Sequence, residues 1–421
     1  MSDRSQIDTS PGALTRVPGF RAAGVSCGLK EESGQLDLAL LACDRPAAAA
    51  AMFTTNAFKA APVLYDMALL SRSHIDMHPQ PIQAVVINAG VANACTGQGG
   101  LRDAERMARL TEAALSLPAD SVLVMSTGVI GHRLPMDRVG AGIQAAARSL
   151  SPTGGADGAR AIMTTDLVPK EAFLQLEIGG VPVSIGGIAK GSGMIHPDLA
   201  PVGAPHATML SAIATNAAVS PAALDAALAA AVDASFNRVT VDGDTSTNDT
   251  VVLLASGAAG NPMIELGTRD YQNFEAALTG VCRSLAIAIA RDGEGATHLV
   301  EIVVRGAASD AQAQRAAKTV ATSPLVKTAI FGADPNWGRV LAAIGRSGVE
   351  VDPARVSLWL GDVQLVAGGE PLSFDAAAAR AALKAPKVRF SADLGLGSGQ
   401  ATVWTCDLSY TYVEINAEYH T

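Results

Sequence analysis

Basic blocks, paired-cysteine motifs, a leader-like start and long apolar runs are all missing from this chain of 421 residues. No lysine- or arginine-rich segment stands out against a net charge of −9, which argues against nucleic acid or an anionic membrane as partner and favours small polar substrates. The cysteines Cys27, Cys43, Cys95, Cys282 and Cys406 are odd in number, widely spaced, and without a CxxC pair or nearby histidines. They read as buried reduced thiols, and no metal site is expected. No cysteine has the electropositive niche that a reactive thiolate needs. Residues 1–12 carry neither the basic start nor the apolar core of a signal peptide, and no uninterrupted apolar run approaches the length of a membrane span, so a cytoplasmic location is expected.

Further absences concern motifs. Asp334-Pro-Asn-Trp-Gly-Arg339 lacks the Walker spacing and the Lys-Ser/Thr that would follow it, so ATP binding is not inferred. Asp242, Asp244 and Asp249 share one window, but the spacing and the closing glutamate of an EF-hand are missing. This window reads as hydrogen-bonded turns that position neighbouring strands. No tandem repeat, low-complexity tract or linker separates independent modules.

What the chain does have is apolar residues, 49% of its length, enough for a substantial core. Short strands are expected through about Val63. The β-branched run Ala84-Val-Val-Ile-Asn88 reads as a strand, followed by a loop over 91–100. Residues 103–115 show helical spacing, and Val122-Leu-Val-Met125 a second strand. Alternation of this kind predicts an α/β fold. Gly179-Gly180 sits between Leu174-Gln-Leu-Glu-Ile178 and Val181-Pro-Val-Ser-Ile185 as in a hairpin, whose second arm leads to Lys190. Ser220-Pro221 signals a helix start with serine as N-cap, residues 271–291 a long helix, and 310–322 another. A boundary near Gly306 would set off a smaller C-terminal α/β domain over 306–421.

The centre of interest is Lys190-Gly-Ser-Gly-Met194 with Ala207-Thr208-Met209-Leu210, where a glycine loop delivers a threonine to a buried run. On spacing alone Thr208 is more often a helix cap than a nucleophile. Set beside Asn88-Ala-Gly90, Ser126-Thr-Gly-Val-Ile-Gly131, Met163-Thr-Thr-Asp166, Asp244-Thr-Ser-Thr-Asn-Asp249, Asp292-Gly-Glu-Gly-Ala-Thr297, Asp334-Pro-Asn-Trp-Gly-Arg339 and the ending Ile415-Asn-Ala417 to Thr421, the stretch resembles the ornithine acetyltransferase (glutamate N-acetyltransferase) family. The motifs stand in family order and cover nearly the whole chain.

The resemblance implies a layered αββα core of the ornithine acetyltransferase/aminopeptidase type. It implies a precursor that cleaves itself between Ala207 and Thr208, leaving an alpha chain 1–207 and a beta chain 208–421 assembled as a heterotetramer. Thr208 is then the nucleophile, Thr127 and Gly128 form the oxyanion hole, and Lys190, Glu294, Asn416, Thr421 and one of Thr164 or Thr165, with Thr165 preferred, orient the amino acid. No cofactor is implied; acetyl-CoA stays open as a second acetyl donor. His298 stands where relatives usually have lysine and reads as a surface variation. The chain also departs from the family in the extra residues Pro201-Val-Gly-Ala-Pro-His-Ala207 ahead of the nucleophile. That departure keeps two alternatives open: an N-terminal-threonine amidohydrolase or acyltransferase of specialised metabolism, and an unprocessed structural or interaction protein.

Overall fold

The computed structural model describes residues 7–30, 32, 34–75, 81–201 and 209–418. The first sheet comprises β1 (Phe20–Val25), β2 (Leu38–Thr54), β3 (Ile82–Val91), β4 (Val122–Val129), β5 (Lys170–Ile178), β6 (Val181–Lys190), β7 (Leu199–Ala200), β8 (Leu210–Thr215) and β9 (Thr250–Ala255). The hydrogen-bonded order is β4-β3-β2-β9-β8-β6-β5, with β1 and β7 each paired to β2. Instead of the short strands expected there, β2 is one strand of 17 residues. Its register against β3 shifts between Ala42 and Ala47, across the exposed Asp44, Arg45 and Pro46. Proline has no N–H to give to a ladder, so the strand breaks step at this point. Before the break β2 pairs with β1 and β3; beyond it, after a last β3 pair at Ala47 and Ile82, it pairs with β9 and β7.

This bend lets one continuous path fold into two packed layers, and side-chain alternation shows it. Val252 and Leu254 of β9 share a core with Val85 and Ile87 of β3 and Leu123 and Met125 of β4. The intervening Val251 and Leu253 face the opposite way, onto the helices Pro221–Asp233 and Arg269–Arg291. Ala84, Val86, Val122 and Val124 pack on the other outside, against Met107, Val139 and Ile143 of the helices Gly97–Leu115 and Met136–Ser149. The order is helix, sheet, sheet, helix, the expected αββα class. Each such fully buried Val, Leu or Ile contributes about 1.5–3 kcal/mol, so three apolar interfaces hold the layers in register.

A second sheet begins at Leu299, upstream of Gly306. It contains β10 (Leu299–Ala307), β11 (Ser357–Leu360), β12 (Val363–Ala367), β13 (Glu370–Pro371), β14 (Lys387–Asp393) and β15 (Gly399–Cys406), in the order β13-β12-β11-β14-β10-β15. Its own core gathers Val300, Ile302, Leu358 and Phe390 with Ala316 and Val320 of the helix Asp310–Ala321. Leu299, Trp404 and Cys406 join it to the core of the first body.

Other expectations are corrected in detail. The helix Ala61–Ile75 falls where none was expected, and the helix after β3 starts at Gly97, inside the expected loop. Ser220 precedes its helix as foreseen but makes no capping bond; its hydroxyl is buried without a partner among the described residues. The helix Arg269–Arg291 is long and apolar enough by composition to cross a membrane, yet Phe274, Leu278, Leu285 and Ile289 are buried in the protein core. Cys95 is exposed and Cys27 half-buried, against the expectation that all five thiols are buried. His298 is half-buried beside Asp407, not on the open surface.

Candidate active site

The site is built where strand ends of the two layers meet. Parallel pairing of β3 and β4 sets Ala89 opposite Thr127 and Gly90 opposite Gly128. Gly128 has φ +125°, and a Cβ there would lie 2.3 Å from the Gly90 carbonyl carbon, so only glycine lets the two strands close up. The Ser126 hydroxyl donates to Asn88 Oδ1 at 2.6 Å, and Asn248 Nδ2 donates to the carbonyls of Ala92 and Ser126 at 2.6 and 2.8 Å. Thr127 therefore sits on a strand end pinned from both sides. Opposite it, β6 ends at Lys190, which pairs with Leu210 of β8, and Leu210 pairs with Thr250 of β9.

Lys190 Nζ donates to Thr127 Oγ1 at 3.2 Å, tying the layers together at this end. The lysine is buried. Burial pushes its pKa down, Asp166 opposes that, and the charge of Lys170 adds to it.

The loop after Lys190 is held by carboxylates. Gly191 N donates to Asp166 Oδ1 at 2.7 Å, and Met194 N and Ile195 N donate to the two oxygens of Asp242 at 2.6 and 2.9 Å. Burial pushes Asp242 up to about 6 despite those bonds. Ser192 donates through Oγ to the Asp292 carbonyl at 2.7 Å and accepts the Glu294 amide on its carbonyl at 3.1 Å. Glu294 is thereby laid against Gly193, where a Cβ would stand 2.3 Å from its carboxylate. From the C-terminal helix Tyr410–Glu418, Asn416 Nδ2 donates to Glu294 Oε2 at 2.8 Å. A cleft of about 290 Å³ opens here, lined by Met194, Asp242, Asp244, Tyr412 and Asn416.

Beneath the loop lies a charge cluster that the sequence reading did not single out. Lys170 is 1% exposed, and its Nζ lies 2.6 Å from both Asp166 Oδ1 and Asp292 Oδ2. Asp292 also accepts the Leu167 amide at 3.0 Å, and Asp166 the Thr164 amide at 3.0 Å. Thr165 is half-buried between these anchored positions, while Thr164 faces a second cleft, of about 530 Å³, with Lys30 and Arg160. The available signal was a lysine and a glutamate, Lys170 and Glu171, opening a strand in which both are buried. Charges so placed need partners.

Thr127 is thus joined to Lys190 and Glu294 to Asn416, and the charge of Glu294 acts on Lys190. Ala207, Thr208 and Thr421 lie outside the described residues. Met209, the first described residue after that gap, accepts the Thr250 amide on its carbonyl at 2.7 Å, so the chain enters β8 beside Asp249 and Lys190. Asp249 is fully buried, and its carboxylate oxygens have no hydrogen-bond partner among the described residues. Burial holds its pKa well above the usual carboxylate range, against the pull of Lys190.

Comparison with known proteins fixes the family. The profile of the ArgJ family matches residues 21–421. This chain belongs to the ArgJ family. The arginine biosynthesis bifunctional protein ArgJ of Symbiobacterium thermophilum is 54% identical over 411 residues, covering 97% of this chain and 99% of its own. Its counterpart from Synechococcus is 49% identical, covering 97% and 98%. Among solved structures, ArgJ of Bacillus halodurans is 48% identical over 48% of this chain and 96% of its own, with a TM-score of 0.48. Ornithine acetyltransferase from Mycobacterium tuberculosis, complexed with ornithine, is 41% identical over 46% of this chain and 100% of its own, with a TM-score of 0.41. As an ArgJ family member the protein is an acyltransferase enzyme of arginine biosynthesis.

Proposed function

We propose that the protein transfers the acetyl group of N2-acetyl-L-ornithine to L-glutamate through an acetyl ester on Thr208, after cleaving itself between Ala207 and Thr208. In maturation the threonine hydroxyl attacks the Ala207 carbonyl carbon, the acyl group moves from nitrogen to oxygen, and water hydrolyses the ester. The freed α-amine of Thr208 has the low pKa of its class and serves as base for the adjacent hydroxyl. Thr208 Oγ then attacks the acetyl carbonyl as its proton passes to that amine. Thr127 and Gly128 receive the oxyanion. The C–N bond breaks, the proton goes to the departing nitrogen, and ornithine leaves. The glutamate amine next attacks the ester, and Thr208 Oγ recovers a proton as N-acetylglutamate departs. Lys190 neutralises a substrate carboxylate and Glu294 grips an ammonium, with Thr165, Asn416 and Thr421 completing the binding set.

The observation that carries this reading is the 3.2 Å contact of Lys190 with Thr127 at the mouth of β8. A hydroxyl has one proton and two lone pairs; accepting from an ammonium leaves the proton free to be donated to a developing oxyanion. The reading includes two copies each of the alpha and beta chains, a cytoplasmic location, no cofactor, and acetyl-CoA as an additional acetyl donor. The test is ornithine release from N-acetylornithine with and without glutamate. Glutamate-dependent formation of N-acetylglutamate is expected. Release of acetate alone would make the protein an amidohydrolase.

A further inference from the structure

Asp166 and Lys190 are the puzzle of the buried cluster. Asp166 accepts the amide of Gly191, the residue directly after Lys190, and among the charged groups it is the one that acts most strongly on Lys190. In a buried setting a carboxylate and an ammonium attract strongly. Yet the Lys190 ammonium is on a neutral hydroxyl, that of Thr127. What satisfies Asp166 instead is Lys170, at 2.6 Å, with the amides of Gly191 and Thr164 taking further acceptor positions out of the roughly four a carboxylate offers. Lys170 is held there by Asp292 on its other side, which is fixed in turn by the Leu167 amide.

We infer that Lys170 is a positioning residue: by occupying Asp166 it keeps that carboxylate from capturing Lys190, and so leaves the Lys190 ammonium on Thr127. The inference rests on the proposed roles of Thr127 and Lys190. It assigns a task in the reaction to an ion pair that would otherwise pass as a structural latch. The other charged groups acting on Lys190 are Glu294 and Asp249, and Lys30 feels its charge as well. None of these makes a hydrogen bond to it among the described residues. Against its burial, the charge of Lys190 and then the charge and hydrogen bond of Lys170 hold Asp166 down at about 2. Losing Lys170 would therefore leave a buried anion whose strongest remaining cation is Lys190.

The test compares Lys170→Met, a substitution close in shape, with the double variant Lys170→Met/Asp166→Asn in the full-length processed enzyme. The readout is single-turnover ornithine release across pH. Lys170→Met should slow release by about 100-fold, the loss expected when an oxyanion donor is disarmed. Its alkaline limb should move to higher pH, since the charge that depresses Lys190 is gone. The double variant has no carboxylate at position 166 to capture Lys190 and should recover at least about tenfold of the loss, a lowering of the barrier by ~1.4 kcal/mol. A structural latch predicts the reverse, because the double variant has lost more bonds. A double variant no faster than the single, or a single variant as fast as wild type, overturns the inference. Should Lys170→Met not fold, the double variant alone decides: release within about tenfold of wild type supports the inference, and a loss as large as that of Thr127→Ala, about 100-fold or more, overturns it. Wild-type enzyme that releases no ornithine overturns the reading of the site, and this inference with it.

Discussion

Thr127 accepts a hydrogen bond from Lys190 between the two layers of the first sheet, 3.2 Å between Oγ1 and Nζ. An accepted bond from a cation polarises the hydroxyl and aims its single proton away from the lysine. Thr127→Ala should then lower kcat by about 100- to 1000-fold, as loss of an oxyanion donor does elsewhere. Thr127→Ser keeps the hydroxyl and should stay within about tenfold of wild type. Steady-state acetyl transfer decides; a fully active alanine variant removes Thr127 from the oxyanion hole.

The fit of Gly193 against Glu294 gives a second prediction. A methyl group at position 193 would stand 2.3 Å from the carboxylate, so Gly193→Ala must push Glu294 away from Asn416. We expect kcat/KM for N-acetylornithine to drop by roughly 10- to 100-fold, mostly in KM, as for a lost charge-assisted contact of about 1.5–3 kcal/mol. Shortening the acid in Gly193→Ala/Glu294→Asp should return part of it. Unchanged KM in Gly193→Ala would show that Glu294 does not meet the substrate.

Asp242 makes stability depend on pH. Its pKa is raised from 3.8 to about 6 by burial, so its contribution to stability is full below about pH 4 and is lost as pH rises through about 6. About two units correspond to at most ~3 kcal/mol. His196, whose pKa burial lowers to about 4, works in the opposite direction across the same range, so the comparison must be between variants. Asp242→Asn should lose stability relative to wild type at pH ~4 and recover most of that difference by pH ~7, read from chemical denaturation. A difference independent of pH would mean that Asp242 is ionised throughout.

Much of the layered fold was legible because its strands are short, β-branched and bounded by turn residues, as in Ala84-Val-Val-Ile-Asn88 and the Gly179-Gly180 hairpin. The reach of β2 was not: short strands were expected through about Val63, whereas Asp44-Arg45-Pro46 is a bend within one strand. The helix Ala61–Ile75 was missed for lack of a marked apolar stripe. At the site, motif order pointed to Thr127 and Lys190, which share a hydrogen bond, and to Glu294 and Asn416, which share another. It could not show which buried charges hold them: Lys170 and Asp292 are 122 positions apart and share a bond only through the fold. Asp242 was read as part of a turn, and it does bind its own neighbour Asp244, but its larger task is the loop at Met194 and Ile195.

The most direct test of the account is the denatured mass of each chain after mixing with N-acetylornithine in the absence of glutamate, with N-terminal sequencing. The account predicts two chains, the second beginning at Thr208 and heavier by one acetyl group, which added glutamate removes. A single intact chain, or acetyl transfer at full rate with no acetylated Thr208 chain, would contradict it.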